Sequence, residues 1–127
     1  MSEIIDLDIL RPEKKIIRLA GKEIDVSFIP LGITFEIDDI VVRLGAMGLR
    51  KNAEGKYVKK ALAGADLKKM FDETVKLCAT FAGYKNPEMD EAWIKDNLNV
   101  EQIQVFAEAV KDALERSYRG VEEYSKN

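Results

Sequence analysis

The chain contains no histidine, one cysteine, three prolines and one tryptophan among its 127 residues. Each shortage excludes something. Without histidine there is no Ser-His or Cys-His nucleophile pair, and most zinc sites are lost. A single cysteine, Cys78, cannot form an internal disulfide, which fits a reducing, intracellular setting. With no imidazole to activate it, Cys78 reads as a buried structural thiol on an apolar helix face rather than a nucleophile. No apolar run approaches membrane-spanning length. The N-terminal MSEIIDLDIL carries acids too early for a signal peptide, so a cytoplasmic protein is expected. The net charge of −3 supplies no global field toward nucleic acid.

Short motifs are missing as well. Gly55-Lys56 is followed by Tyr57 and has no glycine at the required upstream position, so it is not a P-loop. Residues 96 to 108 have no glycine where a calcium loop turns. The adjacent acids Asp38-Asp39 and Asp90-Glu91 do not converge on a helix face. The helix after Asn99 begins Val-Glu-Gln-Ile and stays acidic, which phosphate would repel from a helix–turn–helix docking. No catalytic residue, cofactor or metal is expected, and the chain reads as a non-enzyme.

What is present is patterning. A hydrophobic content of 46% is enough for one core, and a charged fraction of 34% solvates its surface. The reading is one α+β domain over 1–127, an N-terminal β-hairpin followed by a mostly helical bundle of about four helices. Residues 1–13 are a lead-in, where Ile4, Ile5, Leu7 and Ile9 partly alternate with Asp6 and Asp8. Residues 14–29 form the hairpin. Ile24, Val26 and Phe28 alternate with Asp25 and Ser27, and Gly21-Lys22 is expected as a type II′ turn. A lone hairpin is marginal, so its apolar face needs a helix or a neighbouring subunit.

A helix is expected over 33–47, capped by Thr34, with Ile37, Ile40, Val41 and Leu44 inward and Gly45 and Gly48 ending it. Residues 45–65 combine glycines with Arg50, Lys51, Lys56, Lys59 and Lys60. They read as a flexible basic loop with a helical turn around Val58 to Leu62. The helical part follows over 66–119. Asp66 caps a helix with Leu67, Met70, Phe71, Thr74, Val75, Cys78, Phe81 and Ala82 on one face, stopped by Gly83. Asn86-Pro87 breaks the chain. Asp90 caps a short helix carrying Trp93, Ile94 and Leu98. Asn99 and Gln102 form a capping box. It opens a helix of about 28 Å, at roughly 1.5 Å per residue, with Ile103, Phe106, Ala107, Val110, Leu114 and Tyr118 on one face. Gly120 is expected to stop it, and VEEYSKN to fray. Trp93 reads either as a wedge of the short helix against the long one or as a partner anchor.

Two stretches carry a family resemblance. LAGKEIDVSFIPLGITFEIDDIV resembles the N-terminal half of small tail assembly chaperones encoded by phages and prophages of Gram-positive bacteria. VKLCATFAGYKNPEMDEAWIKDNLNVEQIQVFAEAV resembles their C-terminal helical half, with an N-P-E-M-D-E-x-W elbow and an N-x-x-Q helix start. The SYRGVEEY ending is also similar, and residues 45 to 65 match least. The resemblance implies a non-catalytic chaperone that binds the long, helical tape measure protein and keeps it soluble until the tail tube polymerises. Such a protein would be absent from the finished virion. The alternative is a structural head–tail connector or tail-completion subunit. Under the resemblance, Trp93, Phe106 and Tyr118, or the helix around Met70, are the candidate partner-binding residues. Methionine suits adaptable contacts, and an unpaired hairpin edge would serve a homo-oligomer.

Overall fold

Alternation places the hairpin correctly, but its turn sits one residue earlier than the glycine suggests. In the computed structural model, which describes residues 3–47, 49–51, 57–59 and 64–125, strand β1 (Ile16–Leu19) pairs antiparallel with β2 (Lys22–Asp25). Leu19 faces Lys22, so the loop is Ala20-Gly21, with φ of 49° and 80°. Both central residues are left-handed, which is a type I′ turn and not the expected type II′. The primed type I turn follows the right-handed twist of the strands. Gly21 takes its second position freely, while Ala20 carries a strain of about 1 kcal/mol. The Val26 amide donates to the Lys15 carbonyl at 2.9 Å, extending the pairing one step beyond the strands.

Pro30 ends the extended segment, and a 3-10 turn at Leu31–Ile33 leads into α1 (Thr34–Ala46). Thr34 was expected as the cap. It is instead the first helical residue, and its hydroxyl donates back to the Pro30 carbonyl at 3.0 Å. The 3-10 turn starts the winding early, so the capping position passes to Ile33. Ile37, Ile40 and Leu44 are buried as their spacing predicts. Gly45 lies in the last turn of α1, not beyond it.

Part of the segment read as a basic loop is a second hairpin. Strand β3 (Leu49–Lys51) pairs antiparallel with β4 (Tyr57–Lys59), and Val58 faces Arg50. The expected helical turn therefore fails at Val58, where Tyr57 and a β-branched neighbour favour strand. Its remainder, 60 to 62, lies outside the described residues.

Helix α2 (Gly64–Lys85) begins before Asp66, which sits in its first turn rather than capping it. Gly83 does not stop α2 either. The helix runs two residues further, to the Asn86-Pro87 break. Helix α3 (Glu91–Asn97) is capped as predicted, with the Trp93 amide donating to the Asp90 carboxylate at 2.9 Å. The capping box of α4 (Val100–Ser125) closes in both directions. The Gln102 amide donates to Asn99 Oδ1 at 2.8 Å, and the Asn99 amide to Gln102 Oε1 at 2.9 Å. Helix α4 passes through Gly120, making it about 39 Å long at 1.5 Å per residue rather than 28 Å. An interior glycine costs about 1 kcal/mol, which a helix already propagating for 20 residues tolerates.

Helix α2 is the central element. It packs against α1, α3 and α4, while α1 also touches α4. Phe81 of α2 meets Phe106 of α4 edge to face, with centroids 6.2 Å apart. Helix α3 rests chiefly on α2 rather than on α4, and Trp93 packs half-buried at the edge of the core. The fold is α+β, an N-terminal hairpin followed by four helices.

Candidate protein-docking surface

The hairpin leaves its strands through one fully employed residue. Ser27 is 3% exposed. Its amide and hydroxyl both donate to Asp25 Oδ1, and its hydroxyl oxygen accepts the Lys15 amide at 2.7 Å. Its carbonyl accepts from Arg116 Nη2 of α4 at 3.0 Å. Burial works to raise the Asp25 pKa, but the two bonds from Ser27 and the nearby cations Lys14 and Lys85 together hold the carboxyl below its ordinary value. A second tie is external: Lys22 donates to Glu88 of the elbow at 2.9 Å. Together these hold the hairpin against the helices by polar contacts at both ends.

Beside this exit lies a cleft of about 210 Å³, lined by Asp25, Phe28, Pro30, Phe81, Tyr84 and Lys85 among others. Arg11 and Lys85 stand over the Phe28 ring, 4.6 and 5.6 Å from its centroid. Asp25 is bonded to Ser27, Glu23 to Arg18 and the Asn86 amide to the Ala82 carbonyl, and no nucleophile–base pair is among the lining residues. Cys78, the one thiol, is sealed in the core and its Sγ lies 3.9 Å from the Ile103 carbonyl. Burial pushes that thiol far above its usual range, against a small opposing pull from Lys111. Among the described residues no group of His, Cys, Asp or Glu side chains is placed to hold a metal ion, and no helix is long and apolar enough to cross a membrane.

The sequence-predicted contact residues separate on folding. Phe106 is fully buried and Met70 nearly so, both within the hydrophobic core. Neither can meet a partner on the folded surface, because the helical periodicity that selected them is also the periodicity of the core. Met89 is likewise sealed, under the elbow. Trp93 and Tyr118 are half-buried against the core edge. Tyr118 stands beside Asp38 and Asp39 of α1. Desolvation and then these carboxylates push its phenol pKa upward.

The apolar surface lies elsewhere. On α1, Phe35 and Val42 are 71% and 63% exposed, two turns apart on one face, and Leu31 precedes them by one turn at 82%. Val100 and Val105 are exposed on α4, and Ile4, Ile5, Leu7, Ile9 and Leu10 along the N-terminal arm. Sequence reading assigned Ile37, Ile40, Val41 and Leu44 to the inner face of α1. The complementary signal is the pair of apolar residues at 35 and 42, opposite that face.

No protein-family model matches this chain, and neither does any curated protein or solved structure.

Proposed function

We propose that this protein is a non-catalytic phage tail assembly chaperone that binds the tape measure protein and keeps it soluble in the host cytoplasm before the tail is built. The observation that carries the reading is the outward pair Phe35 and Val42 on α1, preceded by exposed Leu31 in the 3-10 turn, on a helix whose opposite face is already buried. Leu31 and Phe35 are four residues apart and Phe35 and Val42 seven, spacings that suit anchors for an amphipathic partner helix. The sequence resemblance supplies the identity of the partner.

Co-expression with the tape measure protein of the same genome tests the reading. The tape measure protein should become soluble and co-purify with this chain. Phe35→Asp with Val42→Asp should abolish co-purification while leaving the circular dichroism spectrum and thermal midpoint unchanged. Trp93→Ala should instead lower stability, since its ring packs on the core. An insoluble, unbound tape measure protein, together with this chain in purified tails, would replace the chaperone with a connector or tail-completion subunit.

A further inference from the structure

The N-terminal arm is the least covered part of the described chain. Ile4, Ile5, Leu7, Ile9 and Leu10 are each between 66% and 89% exposed, and the 3-10 turn Leu7–Leu10 buries none of its residues. The arm nevertheless alternates like a strand. Ile5, Leu7 and Ile9 fall on one side when it is extended, and Asp6 and Asp8 on the other.

The free edge of β1 has the matching pattern. Leu19 pairs with Lys22 across the turn, and the Val26 amide donates to the Lys15 carbonyl. Hydrogen-bonded pairs alternate in an antiparallel ladder, so Lys15, Ile17 and Leu19 direct their backbone groups toward β2. Lys14, Ile16 and Arg18 direct theirs outward, and among the described residues the sheet ends there. The side chains of Lys14, Ile16 and Arg18 share the solvent face, while Ile17 and Leu19 face the core. A strand laid along this edge would meet cations on its outer face and aliphatic groups on its inner face.

We propose that the arm of one copy adds as a third strand to the β1 edge of a second copy, reciprocally, to form a closed pair. Asp6 and Asp8 lie beside Lys14 and Arg18 of the other chain, and Ile5, Leu7 and Ile9 continue its apolar underside. The arm does not serve its own β1. Arg11 precedes Pro12 and is held extended, at φ −73° and ψ 135°. A three-residue reversal over residues 11 to 13 calls for a right-handed first position, which that proline disfavours. The arm and the edge it fits are adjacent in the chain, so one twofold axis satisfies both copies. The three inward side chains, Ile5, Leu7 and Ile9, bury about 300 Å² per arm, and two arms with the surfaces beneath them reach about 1,200 Å², the lower end of the range of stable interfaces. The strand period argues against a helical partner as the occupant of the arm. This inference does not rest on the tape measure reading.

Charge reversal on the full chain tests it, read by light scattering across a concentration series. The unmodified chain should reach the mass of two copies. Asp6→Lys with Asp8→Lys should weaken pairing about tenfold or more, as should Lys14→Glu with Arg18→Glu. An equimolar mixture of the two variants should regain the paired mass, because each arm then meets an edge of opposite charge. All four side chains are exposed, so circular dichroism should show both variants folded. A chain that stays monomeric, variants that keep the paired mass, or a mixture that fails to pair would each overturn the proposal. So would variants that keep their mass but release the tape measure protein, which would make the arm a partner-binding strand instead.

Discussion

The Arg116 guanidinium reaches 89 positions back along the chain to donate to the Ser27 carbonyl at 3.0 Å. With that bond, every polar group of Ser27 is engaged within the protein. Removing the donor should leave a buried carbonyl unpaired. Arg116→Met is expected to cost about 1–3 kcal/mol in urea unfolding. Arg116→Lys should cost less, because the buried Nε has no hydrogen-bond partner to lose.

The same cluster sets an acid response. Asp25 is held below its ordinary value of 3.8 in the folded chain. Its contribution is therefore complete above that value and fades as pH falls through the lower folded one. Asp25→Asn should lower stability at neutral pH and flatten the acid limb of a stability–pH curve in this range. An unchanged acid limb would mean that Ser27 does not hold the charged form.

The hairpin turn can be improved. Ala20 occupies the first left-handed position of a type I′ turn, where asparagine or glycine is preferred. Ala20→Asn should raise stability by about 1 kcal/mol, seen as a higher thermal midpoint with the fold unchanged. A loss of stability would place the reversal elsewhere.

Cys78 should be silent toward a thiol-specific chromogenic reagent at pH 8 in the native protein. It is fully buried, and burial pushes its pKa far upward. Labelling should follow global unfolding and speed up with denaturant in parallel with the unfolding rate. Fast native-state labelling would show that α2 opens locally from α4.

The sequence spoke most clearly where one residue type performs one local task. Asp90 and the Asn99–Gln102 pair cap helices as read, because a cap needs only its own neighbours. The hairpin alternation was equally plain. Legibility failed where two local solutions compete. Ala20-Gly21 and Gly21-Lys22 are both plausible loops, and the cross-strand register, a longer-range property, decides between them. Gly83 and Gly120 read as stops, yet both lie inside helices, because packing and propagation outweigh about 1 kcal/mol of glycine preference. Phe106 and Met70 illustrate the same limit at the candidate surface. An aromatic or a methionine at helical spacing serves a core or a contact equally, and only the placement of the neighbouring helices separated them.

Synthesis runs in one direction, and Arg116 follows Ser27 by 89 residues. At about 5–20 residues per second, the ribosome needs roughly 4–18 s to add the stretch between them. During that interval the nascent hairpin exists without its clasp, and its free edge and apolar underside remain open to other chains on the same polysome. Helix α4 is thus also a timer, and the hairpin waits for it before it is secured.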